Sequence, residues 1–315
     1  MPFNYKKWLK EKEGRLENIP SLFEKDVEKY QRTIFDELVR LLDGLKRDGG
    51  KIIFNGENLE NIAIVEKTIE ELKEKLLSGD YVRSVDDFIK EFDFQADLND
   101  TYFKNEFNFK KSIAADEVLN LAKKGAVEAL VGEPLDSNFI LPIKSILNDA
   151  VTSGASWVET VQNIRDFVEG NPESDGRLLR YAKQIARDEF SIADRSYNNA
   201  IADELEIEFF IWSGQSLQNS RCFCRERANK YFHYKEIEAW ARGEDLGECD
   251  LGDGSWQGEH DGTNEQTIFQ YAGGWNCLHT IMGVSVFNVP KEDVQRAIDK
   301  GYYQPTEKEL DLLGL

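Results

Sequence analysis

The chain has 315 residues, enough for two domains at roughly 150 residues each, and its 41% hydrophobic content supports a packed core and excludes wholesale disorder. With 59 acidic against 39 basic residues the formal net charge is -20, a surface that repels phosphate and suits docking on a basic protein face. No apolar run approaches the ~20 residues of a membrane span, and the opening MPFNYKKWLKEK lacks the apolar stretch of a secretory signal. Folding in a cytoplasm is therefore expected, with cysteines present as thiols or metal ligands rather than as a disulfide framework.

The first two thirds read as helices. Phe23, Val27, Tyr30, Ile34, Leu38 and Leu41 step by three or four, which places them on one helical face, and Gly44 with the Gly49-Gly50 pair ends the run. Leu59, Ile62, Val65, Ile69, Leu72 and Leu76 repeat the pattern up to Gly79. Ser84 with Asp87 resembles a capping box ahead of Phe88, Ile89 and Phe92. Further helices are expected over 115–131, ended by Gly132 and Pro134, and over 140–151. Ser156 is placed to cap a helix carrying Val158, Val161, Ile164 and Val168, stopped by Gly170-Asn171-Pro172. The longest candidate, 176–206, carries Ile185, Ile192, Ala193, Tyr197, Ala200, Ile201 and Leu205 on one stripe, with its charges assigned to the other face.

The texture changes at Ile207. IEFFIWSG (207–214) is aromatic and β-branched and predicts a strand; 234–243 predicts a short helix. Residues 244–265 hold eight acids, five glycines and no Lys or Arg, and read as a long loop. TIMGVSVFNV (280–289) predicts a second strand, Pro290 opens a helix to Lys300, and 302–315 reads as a loosely attached tail.

All four cysteines (Cys222, Cys224, Cys249, Cys277) and all three histidines (His233, His260, His279) fall in the last third. Two segments stand out, Arg221-Cys222-Phe223-Cys224 and Asn276-Cys277-Leu278-His279. If the flanking strands pair antiparallel, Cys222, Cys224, Cys277 and His279 converge at their ends. Soft thiolates plus an imidazole are zinc-type ligands, and four would close a tetrahedral site. The alternatives are free thiols in a small core with a satisfied histidine, or a Cys224–Cys277 disulfide. Glu226 and Glu236, close in sequence to Cys222 and Cys224, read as solvated charges. H-E-x-x-H, Walker and dinucleotide-binding motifs are absent, as is the calcium-loop spacing in the acidic stretch. Cys277 with His279 is formally a nucleophile and base, without a Gly-rich oxyanion loop beside it.

These residues also carry a resemblance. Trp212, Arg221-Cys222-Phe223-Cys224, Asn229-Lys230-Tyr231-Phe232, Glu236-Ile237-Glu238-Ala239-Trp240 and Gly273-Gly274-Trp275-Asn276-Cys277-Leu278-His279 occur in that order. The pattern resembles the C-terminal module of phage Mu F-type minor head (head morphogenesis) proteins. Upstream, Ala186-Arg187-Asp188-Glu189-Phe190 and Tyr197-Asn198-Asn199-Ala200 are similar to the long helix before that module. Together the likeness covers about a hundred residues. This chain departs from the pattern at Leu278, where an Arg is usual, at Asn229, where a Gly is usual, and at Cys222. Asn tolerates a left-handed backbone, so a turn at 229 can survive. Cys224, Cys277 and His279 are thus the firmer constellation, with Cys222 or Cys249 as the fourth ligand.

The expected architecture is mainly α with a small α+β module: a helical region over 1–205, the Cys/His module over 206–289, and a helix with tail over 290–315. The resemblance implies a virion protein of the phage head, present in several copies, assembled in the host cytoplasm, binding portal or major capsid subunits and assisting head assembly, DNA packaging or delivery, and not an enzyme. A small zinc- or cysteine-dependent enzyme and a helical adaptor unrelated to phage are the rivals. Tight intrinsic binding to duplex DNA is not expected at this net charge, although Lys6, Lys7, Lys10 and Lys12 make one local basic segment.

Overall fold

The computed structural model describes residues 4–54, 59–218 and 220–315. The protein is mainly α-helical, with a small three-stranded sheet in its last third. Its helices are α1 Tyr5–Leu42, α2 Glu60–Ser78, α3 Asp80–Phe107, α4 Ile113–Val131, the single turn α5 Glu133–Leu135, α6 Leu141–Ser153, α7 Trp157–Val168, α8 Arg177–Glu204, α9 Cys222–Arg227, α10 Tyr234–Ala241, α11 Ile268–Tyr271, α12 Lys291–Asp299 and α13 Glu307–Leu313. Two short hairpins pair β1 Arg47–Asp48 with β2 Lys51–Ile52 and β3 Gly170–Asn171 with β4 Ser174–Asp175. The sheet is built of β5 Phe209–Ser213, β6 Lys230–His233 and β7 Thr280–Val284.

Two compact units follow packing rather than chain order. One comprises Ile19–Lys90 and Lys124–Ala186; the other comprises Met1–Asn18, Glu91–Lys123 and Arg187–Leu315. A division at 205 therefore separates segments that pack in the same unit. The first of these units is a helical assembly whose core follows the predicted stripes: Phe23, Val27, Ile34 and Leu38 of α1 and Val65, Ile69, Leu72 and Leu76 of α2 are all buried. Phe23 stacks on Phe88 at 4.9 Å, and the Tyr81 hydroxyl donates to the Leu130 carbonyl at 2.9 Å.

Several boundaries differ from expectation. Helix α1 begins at Tyr5 and runs through Pro20, well ahead of the Phe23 stripe. Ser84 and Asp87 lie inside α3, which starts at Asp80 directly behind Gly79, so they form no cap. The Gly49-Gly50 pair is the turn of the β1–β2 hairpin, both residues having positive φ. The expected helix over 140–151 enters through a π turn over Asp136–Ile140 before α6.

In the second unit β5 is the central strand, antiparallel to both β6 and β7, with Trp212 opposite Lys230 on one side and Ile281 on the other. Every residue of FFIWS is buried, which explains its unbroken apolar composition. Alternate residues face opposite sides of a sheet. Phe210 and Trp212 enter a core with Phe223, Phe232, Trp240, Trp256 and Ile281, while Phe209 meets the edges of His233 and Tyr303. The two flanking strands do pair antiparallel, the condition on which the convergence of their ends depends, with β6 as a third strand that the periodicity did not announce. The expected strand over 280–289 ends at Val284 and continues as a 3-10 turn. The tail is ordered: Thr306 and Glu309 form a reciprocal capping box on α13, and Tyr303 and Leu313 are buried. Among the described residues, no helix is long and apolar enough to cross a membrane.

Candidate metal centre

Cys224 sits in α9 and Cys277 and His279 lie just ahead of β7, so the antiparallel pairing of β5 with β7 carries both segments to one end of the sheet. The sulfurs of Cys224 and Cys277 are 3.8 Å apart, and the Cys277 sulfur is 3.7 Å from His279 Nδ1. The three donor atoms lie within 4.8 Å of one another, and all three residues are buried. In a tetrahedron with bonds of ~2.3 Å to sulfur and ~2.05 Å to nitrogen, the sulfur–sulfur edge is roughly 3.8 Å and the sulfur–nitrogen edge roughly 3.6 Å. The group can therefore hold a metal ion with little rearrangement of these contacts.

The other two cysteines are not available to it. Cys222 and Cys249 form a disulfide, which corrects both the expected absence of disulfides and the expected fourth ligand. The physical reason is local. Cys222 and Cys224 occupy a helix, not a strand end, and two residues apart on a helix are turned by about 200°, so they face different ways. Cys222 meets the 3-10 turn that ends at Cys249, while Cys224 faces Cys277 as a free thiol.

The surroundings are fixed by groups that the stripe reading of α8 assigned to solvent. Arg195 is fully buried and donates to the carbonyls of Gln270, Cys277 (2.9 Å) and His279 (2.8 Å), so one guanidinium ties α11 to the segment that carries two of the three donors. Asp188 is also buried, and its carboxylate accepts the Asn276 backbone N–H. Burial raises the Asp188 pKa, against the pull of that hydrogen bond and of Arg195. The signal was present in the sequence: Asp188 and Arg195 fall at helical spacing from Ile192, on the stripe itself. Arg221 donates to the carbonyls of Gly273 (2.7 Å) and Trp275, closing the loop before Cys277. Gly273 has no room for a side chain, since a β-carbon there would stand 2.2 Å from the Cys224 sulfur.

The two thiols share their protons unequally. Hydrogen bonding from Cys224, with further help from His279 and Arg195, holds Cys277 well below the ordinary thiol range despite its burial. The same hydrogen bond, together with burial, pushes Cys224 up. Cys277 is thus the more readily ionised of the two thiols, and the thiolate is the form in which cysteine binds metal.

Other expected features resolve individually. Asn229 adopts φ 61° between α9 and β6, and its side chain donates to the Gly214 carbonyl, so it does keep the turn that the resemblance gives to glycine. Glu226 is exposed, as expected, whereas Glu236 is buried and paired with Arg296 at 3.1 Å. Lys12 is no part of a basic surface: it is fully buried, 2.6 Å from the Asp194 carboxylate. The acidic stretch is a loop, but Trp256 within it inserts into the core and stacks on Phe223 at 4.1 Å. Comparison of the chain with family models, curated proteins and solved structures finds no match.

Proposed function

We propose that this chain is a minor virion protein of the phage head, of the Mu F type, which acts by binding portal or capsid subunits during assembly, and that zinc at Cys224, Cys277 and His279 stiffens its C-terminal module. The observation that carries the reading is convergence. Trp212, Phe223, Cys224, Phe232, Trp240 and Cys277, spread over the ordered segments of the resemblance, all enter one core, with His279 at its edge. Residues that recur in a fixed order because they build one module must meet in space, and these do. Zinc is the metal suited to two sulfurs and an imidazole. An acidic cleft lined by Asp203, Glu206, Glu208, Glu238 and Glu265 offers a docking face of the sign that a basic partner requires.

The test is mass analysis of purified virions and proheads from cells that make the protein. The chain is expected in both, in low copy relative to the major capsid protein; its absence from both sinks the assignment. A metal-dependent enzyme is the second reading, favoured by the cavity that adjoins the cluster. Turnover by protein lacking any phage partner would support it.

A further inference from the structure

Cys224, Cys277 and His279 form part of the wall of a cavity of about 220 Å³. Among the described residues they are the group of His, Cys and carboxylate side chains whose donor atoms cluster closely enough for an ion, and they number three where tetrahedral zinc takes four. The remaining cysteines are bonded to each other. Gly214 lines this cavity beside the His279 ring, Gly273 packs against the Cys224 sulfur, and neither has room for a side chain. A β-carbon at Gly214 would lie 2.8 Å from His279 Cδ2, and one at Gly273 would lie 2.2 Å from the Cys224 sulfur.

The charge in the cavity is also defined. Two thiolates balance a divalent ion and the imidazole adds none. Glu13, Glu17 and Arg221 are the charged residues that complete the lining, and the guanidinium of Arg221 is turned to backbone carbonyls. Glu13 is held in place by the hydroxyl of Ser213, the last residue of β5. Two carboxylates against one guanidinium leave the cavity negative, which opposes an anion at the metal and admits a neutral donor; a carboxylate can also accept that donor's proton in a hydrogen bond.

We infer that the ion bound by Cys224, Cys277 and His279 keeps its fourth position open to this cavity, filled by water and exchangeable for a neutral nitrogen donor of imidazole size. The inference rests on the metal reading of the preceding section. Zinc sites that only brace a fold close with four protein ligands; those with three hold an exchangeable water. The protein therefore has a ligand-binding position at its brace, which an imidazole or amine of a partner molecule can occupy.

The experiment uses full-length protein loaded with Co²⁺, without reductant, and follows the visible ligand-field bands at pH 8. Imidazole is expected to shift those bands saturably, and azide, as an anionic probe, to do so at least tenfold more weakly. Bands unmoved by imidazole overturn the open position, and azide binding as tightly as imidazole overturns the neutral-donor preference. Glu13→Gln is expected to leave the resting spectrum in place; loss of the four-coordinate bands in that variant shows that Glu13 is itself the fourth ligand and also overturns the proposal. Failure of the metal reading looks different: no thiolate-to-cobalt charge-transfer band appears at all, in the wild type or in Cys277→Ala.

Discussion

The two compact units keep different kinds of core. In the unit made of Ile19–Lys90 and Lys124–Ala186, the buried polar side chains among the described residues are Gln31, Asn61, Thr68 and Thr160, all neutral. The other unit buries Lys12, Asp188, Asp194, Arg195, Arg227, His233, Glu236 and His279. Apolar helix packing needs only shape and periodicity, whereas each buried charge needs a partner, so the second core is specified by pairs rather than by stripes. Lys12 illustrates the point: its ammonium meets the Asp194 carboxylate, which also accepts from Asn99, Gln95 and Thr280. Burial works against both charges. It prevails at Lys12, whose pKa is lowered, while Lys12 and the amide donors overcome it at Asp194 and hold that carboxyl below its usual range.

The sharpest way to break the contrast is to remove one partner. Lys12→Met leaves the Asp194 charge buried without its counter-ion and is expected to cost about 3–5 kcal/mol, read as a fall in the urea midpoint. An effect under about 1 kcal/mol would show that the pair is dispensable and the two cores alike. Next in size is the Cys222–Cys249 disulfide, which closes a separation of 27 residues. Replacing both cysteines by alanine is expected to cost roughly 2–4 kcal/mol, with the Co²⁺ spectrum retained because neither is a ligand. Loss of cobalt binding in a folded double variant would return Cys222 or Cys249 to the ligand set.

The third effect is absent at neutral pH and is graded by pH. His233 is fully buried, and its Nδ1 accepts the Lys235 backbone N–H that begins α10. Burial first, then the Lys235 charge, pushes its pKa down to about 4, against 6.5 for an ordinary histidine. The folded state therefore favours the neutral ring. The stability it contributes is complete above pH 6.5 and is lost as pH falls towards 4, reaching about 3 kcal/mol at the lower end. His233→Asn keeps a capping acceptor and removes this titration. The difference between wild-type and variant stability, measured between pH 7 and 4.5, should change by most of that amount; a constant difference would place the titration elsewhere.

The same contrast explains what the sequence disclosed. Helices α2, α7 and α8 followed from spacing, because a stripe repeats and each residue repeats its evidence; strands β5 and β7 followed from composition, and their pairing entered only as a condition. The cluster of Cys224, Cys277 and His279 was legible as well, since three residues of two rare types flanked two strands. What escaped were features that depend on a single distant partner. Nothing near Cys222 announces Cys249, and nothing near Lys12 announces Asp194. Asp188 and Arg195 escape any reading that assigns charge to solvent, although both lie at helical spacing from Ile192 of the α8 stripe. Strand β6 was hidden because only four residues, Lys-Tyr-Phe-His, carry it, and its first is exposed.

The chain order of these segments also sets an order of events as the protein is made. By residue 186 every segment of the neutral-core unit has been synthesised, and none of Arg187–Leu315. Domains form as units from the N-terminal side during synthesis. The other unit waits: Lys12 meets its counter-ion 182 positions later, the Glu13 carboxylate meets Ser213 after 200, and Tyr102 meets the Gly283 carbonyl after 181. Contacts of such separation close slowly. A nascent chain stalled just far enough past residue 190 for residue 186 to have left the ribosome should therefore carry one protease-resistant body, with the first 18 residues still open to cleavage and the thiol-bearing unit assembled only once its last strand has been released.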